Sequence, residues 1–256
     1  MKRFLSALLL SLVLSAPALQ AQTPVRRDTA AFRPQQLIAP GVLMGAGIVI
    51  HTAGHEGIDI PVNKWFQEKW RAGGPELGFD NYIQYLPLVM DVGLGMLGAR
   101  AEHALLDRVI EAALGSACLG IVSWTMKSVI NSPRPNGVDN RSFPSGHSDW
   151  VFLGAELVRM EYGWGWGAGA YAIATTVAVM RNYNNWHWIS DCLMGAGLGI
   201  LMAHVGRWLL EPTKNLLHIP TIRWDGLGTR TTPALAFAPT VDPYSGIMCA
   251  SLAFRF

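Results

Sequence analysis

The chain has 256 residues, enough for one sizeable domain, and half of them are hydrophobic while only 15% are charged. Its mean hydropathy of +0.24 and its 10 tryptophans place it above ordinary soluble enzymes in apolar content but below a chain made only of membrane spans. A small, spread-out net charge of +2 gives no reason to expect a nucleic-acid partner, and three dispersed cysteines, Cys118, Cys192 and Cys249, exclude a disulfide scaffold.

The first predicted element is an export signal. Lys2 and Arg3 precede an apolar run from Phe4 to Leu14, Pro17 interrupts it, and small residues offer cleavage after Ala18 or Ala21. An uncleaved anchor is the alternative, disfavoured because the run is short for a span. Residues 1–21 are therefore set apart from the fold, and residues 22–36 read as a polar surface segment. Leu37 to Ile50 is apolar with Gly41, Gly45 and Gly47; its length suits a buried or re-entrant helix that does not span. His51 and His55 follow at i, i+4 spacing with no third ligand nearby, so they read as local structure and not as a metal pair. Residues 56–83 are polar with scattered aromatics, including Trp65, Phe66 and Trp70, as in an amphipathic helix that either lies at a membrane interface or is a plain surface helix.

Five apolar helices follow: Tyr85 to Leu97, Val109 to Met126, His147 to Met160, Gly163 to Met180 and Cys192 to Leu210. The third carries Asp149, Glu156 and Arg159 and the fifth carries His204 and Arg207, which must face an interior or an interface if lipid surrounds the bundle. From Thr221 onward the composition changes. Met248, Ala250, Leu252, Phe254 and Phe256 alternate with Cys249, Ser251, Ala253 and Arg255 in the period-two pattern of a strand, and Pro233 to Pro239 offers a partner for it, with Thr240 to Gly246 as the loop. The fold expected is an all-α helical bundle, membrane-embedded, with a short C-terminal β-hairpin packed beside it.

Three polar clusters interrupt the apolar helices within about 65 residues: Lys127 to Pro135, Pro144-Ser145-Gly146-His147, and Arg181 to Asp191. Each falls at a helix end, so one rim of a bundle can gather all three. Polar groups in such apolar surroundings are costly unless they meet in a site. A phosphoryl group in transition spreads negative charge over three oxygens. Lys127 offers a point charge, Arg134 and Arg181 offer forked donors, Ser145 offers a hydroxyl and Gly146 an approachable amide at a helix N-terminus. His187 and Asp191 are four apart, so on a helix they share a face. Asp191 then holds one ring nitrogen protonated and leaves the other free to attack phosphorus. His147, beside the cradle, is placed to protonate the departing oxygen.

The order Lys-x6-Arg-Pro, Pro-Ser-Gly-His, Arg-x5-His-x3-Asp resembles the type-2 phosphatidic acid phosphatase family, which shares its site with bacterial class A acid phosphatases and vanadium haloperoxidases. Lys127, Arg134, Ser145, Gly146, His147, Arg181, His187 and Asp191 match all eight signature positions. The resemblance covers roughly residues 80 to 210. It implies His187 as nucleophile, Asp191 as its orienter, His147 as general acid, the other five as phosphate ligands, and no metal or other cofactor. One departure is Met180, where the family often has Ser; a hydroxyl donor is lost there, but no catalytic role. The division implied is a signal peptide over 1–21, a helical phosphatase domain over 22–220 and a hairpin tail over 221–256. The expected activity is hydrolysis of lipid phosphomonoesters or pyrophosphates through a phosphohistidine, in a bacterial cell envelope, with the site facing the periplasm. The rival readings are a soluble acid phosphatase of broad specificity, a vanadate-dependent haloperoxidase, and a lipid-phosphate-binding membrane protein without turnover. The gap of eight residues between Pro135 and Pro144 and the apolar helices resemble the lipid enzymes more than the haloperoxidases.

Overall fold

The computed structural model describes residues 32–219, together with the backbone of 235–241 and 248–254. The export signal and the turn and docking of the C-terminal hairpin lie outside the described residues. In the tail, the backbones of β1 (Leu235–Val241) and β2 (Met248–Phe254) pair antiparallel, with Leu235 opposite Phe254.

A 3-10 turn over Pro34–Leu37 leads into α1 (Ile38–Ala53). A run of wide and regular helical turns from His55 to Arg71 includes α2 (Ile60–Trp65). The short α3 (Asp80–Ile83) then precedes α4 (Leu86–Met96), α5 (Leu105–Val129), α6 (Gly146–Tyr183) and α7 (Ile189–Leu217). The sequence separates α6 into two helices, and the chain does bend there: Gly163 takes φ +77°, a left-handed value that a residue without a Cβ adopts at little cost. The arm 146–162 descends from one end of the bundle and the arm 164–183 climbs back to it.

The core sits where α7 packs against both arms of α6, with Val151, Ala155, Val158, Ala174, Val177 and Ala196 all buried. Leu119, Leu153, Leu157 and Leu198 form a second cluster between α5, α6 and α7. Glycines on α7 allow this close fit. A Cβ at Gly199 would lie 2.2 Å from the Asp149 carbonyl, and one at Gly195 2.6 Å from the Ser145 carbonyl. On other faces of α7, a Cβ at Gly197 would meet the Pro40 carbonyl of α1 at 2.8 Å, and one at Gly206 the Glu111 carbonyl of α5 at 2.5 Å. Helix α7 is therefore the central post, with small residues wherever a neighbour's backbone presses on it.

Helix α1 differs from a buried helix: Ile38, Val42, Ile48 and Val49 are exposed, and only Pro40 and Gly47 are buried. Pro34–Ala53 and Ile189–Leu217 are each long and apolar enough to cross a membrane by length and composition. The polar residues of the apolar helices point inward. Asp149, Glu156, His204 and Arg207 are all buried, and Arg159 lies against Glu156 at 2.6 Å.

At the end of the bundle remote from the polar rim, buried charges pair with one another. Arg207 holds Glu111 through bonds of 2.8 Å and reaches Glu161 at 3.3 Å, while Lys214 meets Asp107 at 2.7 Å. Buried charge is tolerated when it is paired in this way.

Candidate active site

Both ends of α6, the C-terminus of α5 and the N-terminus of α7 converge on one rim, and between them lies a cavity of about 390 Å³. Lys127, Arg134, Gly146, His147, Arg181 and His187 line it, so six of the eight residues expected from the sequence share one pocket. The other two stand behind the wall, where Ser145 and Asp191 are fully buried.

His187 is 2% exposed and sits in the turn between α6 and α7. Its Nδ1 lies 3.3 Å from Asp191 Oδ2. Arg134 Nη1 lies 3.2 Å from its Nε2. A guanidinium nitrogen only donates, so Nε2 carries the lone pair and Nδ1 carries the proton. Asp191 is fixed in turn. Its Oδ2 accepts from the Trp188 amide at 2.9 Å, at the start of α7, and from the Ser142 hydroxyl at 2.5 Å. Burial, and then the charges of Lys127, Arg134 and Arg181, hold the His187 imidazole well below its usual pKa, so it is neutral near pH 7. A neutral, oriented imidazole with a free lone pair is a nucleophile.

The three cations are each anchored from behind. Lys127 Nζ donates to the carbonyls of Arg141, at 3.2 Å, and Pro144. Arg134 is held by Asp139, 2.7 Å from its Nε. Arg181 Nη1 bonds Asp80 Oδ2 at 2.7 Å, and Asp80 is completely buried. The Trp186 ring lies between the two guanidinium groups, 5.4 Å from Arg134 and 5.5 Å from Arg181, so one indole sets the separation of both forks.

One detail differs from the sequence expectation. The Ser145 hydroxyl does not line the cavity; it caps α6, accepting from the Ser148 amide at 3.5 Å and the Ser148 hydroxyl at 3.1 Å. The glycine at 146 is not required by the protein's own packing, since a Cβ there would meet only Lys127 Cε at 3.9 Å. Met180 turns away into an apolar cluster with Phe66 and Tyr183, which accounts for a hydrophobe at that position. The two histidines set aside as local structure are that: His55 Nδ1 bonds Asp59 at 3.0 Å, and the His51 ring lies 4.4 Å from Phe143.

Ser142, Asp80, Asn81, Asn184 and Trp186 belong to the site and were not singled out in the sequence. Trp186 sits inside the third cluster, next to His187, and Ser142 sits two residues before Pro144. Asp80 lies 101 and 104 positions from the Arg181 and Asn184 that it touches, and Asn81 lies 66 from His147, so no local signal announces them.

The sequence profile of the PAP2 superfamily matches residues 108–213, a span that holds all eight residues. The lipid A 1-phosphatase of Porphyromonas gingivalis is 32% identical over 144 residues, 55% of this chain. The chain spans about a third of that relative's length, the match covering 32% of it. The crystal structure of Aquifex aeolicus LpxE superposes on 58% of this chain and 93% of its own, with a TM-score of 0.46 and 20% identity.

Proposed function

We propose that this chain, which belongs to the PAP2 superfamily through residues 108–213, is a phosphatase that hydrolyses lipid phosphomonoesters through a phosphohistidine. The observation that carries the reading is His187: a buried neutral imidazole whose lone pair faces a cavity bounded by Lys127, Arg134 and Arg181. The phosphate oxygens would lie among these cations and the amides at the start of α6, which also lend the positive end of the helix dipole. Nε2 of His187 bonds to phosphorus as the bond from phosphorus to the ester oxygen breaks. His147 gives that oxygen a proton, and the alcohol departs. Water then attacks phosphorus, His147 takes its proton, the N–P bond breaks and inorganic phosphate leaves. Asp191 steadies the positive charge that His187 carries while it is bonded to phosphorus, a charge gained in the first step and lost in the second. The side-chain cations supply the countercharge that a metal provides in other phosphatases, so the route needs no metal.

The membrane reading rests on where the aromatic residues fall. Trp65, Trp70, Tyr82, Tyr85 and Trp124 are exposed near the rim, and Trp164 is exposed at the opposite bend, where Phe32 also meets Trp208 edge to face at 5.1 Å. Two such girdles, with exposed Ile48, Val89, Val109 and Ile121 between them, match a bilayer's two interfaces. A substrate tail would stay in lipid while its headgroup enters the rim.

The name of the Porphyromonas relative makes the phosphate of lipid A the first substrate to test, ahead of phosphatidic acid, phosphatidylglycerophosphate and polyprenyl pyrophosphate. Purified protein assayed against the four should release phosphate from at least one, and His187→Ala should lower that release by about a thousandfold or more. Unchanged release in the variant refutes the nucleophile. Binding without release by the wild type supports a lipid-phosphate-binding protein instead.

A further inference from the structure

His147 is the one cavity-lining group in the proposed reaction that must deliver a proton along a set direction, and its ring is held by a residue outside the PAP2-matched span. Its Nε2 lies 2.8 Å from the Asn81 side-chain oxygen. Asn81 stands on α3, whose four residues Asp80–Ile83 precede the matched segment 108–213. The neighbouring Asp80 fixes this turn in place: it is completely buried and bonds Arg181 Nη1 at 2.7 Å and Asn184 Nδ2 at 3.4 Å. The turn therefore touches two parts of the site at once, a phosphate cation through residue 80 and the acid through residue 81. Asn81 itself lines the cavity beside His147.

We propose that Asn81 is a positioning residue for the general acid, its amide oxygen accepting from His147 Nε2 and so fixing the ring's tautomer and the direction in which its proton is presented to the leaving oxygen. The inference rests on the phosphohistidine reading above. An amide oxygen accepts but carries no charge, so it orients the ring without making it a weaker acid, whereas a carboxylate in its place would hold the proton back. The other charged and titratable groups around the ring are Arg181, Arg134, Lys127, His187, Asp80 and Glu76, all lining the same cavity.

The test compares Asn81→Leu and Asn81→Asp with the wild type on an alkyl phosphate and on 4-nitrophenyl phosphate, with His147→Ala alongside. An alkoxide must be protonated as it leaves, whereas nitrophenolate leaves unaided. The Leu variant should lose about tenfold in kcat on the alkyl ester and less than about twofold on the aryl ester, within the hundredfold or greater range of general acid catalysis. Combined with His147→Ala it should add no further loss. In the Asp variant the alkaline limb of kcat should move up by about one pH unit. Equal losses on both esters, an unmoved limb, or full additivity with His147→Ala would overturn the positioning role while leaving the nucleophile intact. A wild type inactive on both esters would overturn the parent reading and this inference with it.

Discussion

At the level of single residues, the proposed reaction gives the two histidines opposite tasks, yet both are neutral near pH 7. For His187 this is an advantage, since the imidazole loses its proton well below pH 6.5 and the acid limb of activity should lie correspondingly low. His147 is pushed down to about 3, first by burial and then by Arg181, so at neutral pH its ring is neutral and does not itself bring the extra proton that the proposed reaction gives the leaving group. The proton must then arrive with the substrate, as the phosphate monoanion, whose second ionisation lies at about 6. Once bound, the phosphate's negative charge favours the protonated ring, and the proton can pass through His147 to the ester oxygen. We expect kcat/KM to fall as pH rises above the substrate's own second pKa, and the break to move with that pKa across a series of esters. A break fixed at one pH for every ester would place the proton on the enzyme beforehand. Ser142 shows how a residue escapes a sequence reading: its hydroxyl matters because the turn before Pro144 brings it to Asp191, 49 positions away. The signature residues were legible because their types and spacing are themselves chemical.

At the level of elements, apolar runs located α4, α5 and both arms of α6 to within four residues, and α7 except for its last turns, which continue seven residues past Leu210, because burial and helical continuity are both written in composition. What composition does not carry is which faces meet. The fit of α7 depends on Gly195 and Gly199 against α6, and Gly199 is the tighter of the two, since a Cβ added there would come within 2.2 Å of the Asp149 carbonyl. Asp149 follows His147 by two residues on the first turns of α6, so forcing the helices apart there moves the acid away from the nucleophile. Gly199→Leu should cost about 1–3 kcal/mol or more by overpacking and lower the unfolding temperature in detergent by several degrees. Gly93→Leu, at a site where a Cβ meets nothing within 4 Å, should leave it within a degree or two. Equal effects would mean that α7 is not packed as described. The exposure of α1 was hidden for a related reason: its apolar run suits a protein interior as well as a lipid-facing helix, and only the close approaches of Gly47 to Met194 and of Pro40 and Met44 to Gly197 show which stripe packs.

At the level of the whole molecule, α1 ties orientation to function. It runs antiparallel along α7, with Gly47 near Met194 and the Ser190 carbonyl at the rim, and Phe32 near Trp208 at the far end. If α7 crosses a bilayer, α1 crosses with it, so residue 33 and the active site face opposite sides. A periplasmic site then goes with residue 33 in the cytoplasm, whereas the expected cleaved leader goes with an α1 that stays on one side. In cells carrying a version without Cys118, Cys192 and Cys249, an impermeant maleimide should label Val138→Cys from outside and Gln35→Cys only after permeabilisation. Labelling of both in intact cells would show that α1 does not cross. The account as a whole depends on one bond, between His187 Nε2 and phosphorus. Rapid acid-free quenching of the wild type turning over a 32P-labelled lipid phosphate should leave acid-labile, alkali-stable label on the peptide that contains His187. That label should be absent from His187→Ala. Phosphate release by the wild type with no labelled enzyme under any quench, together with undiminished release by His187→Ala, would contradict it.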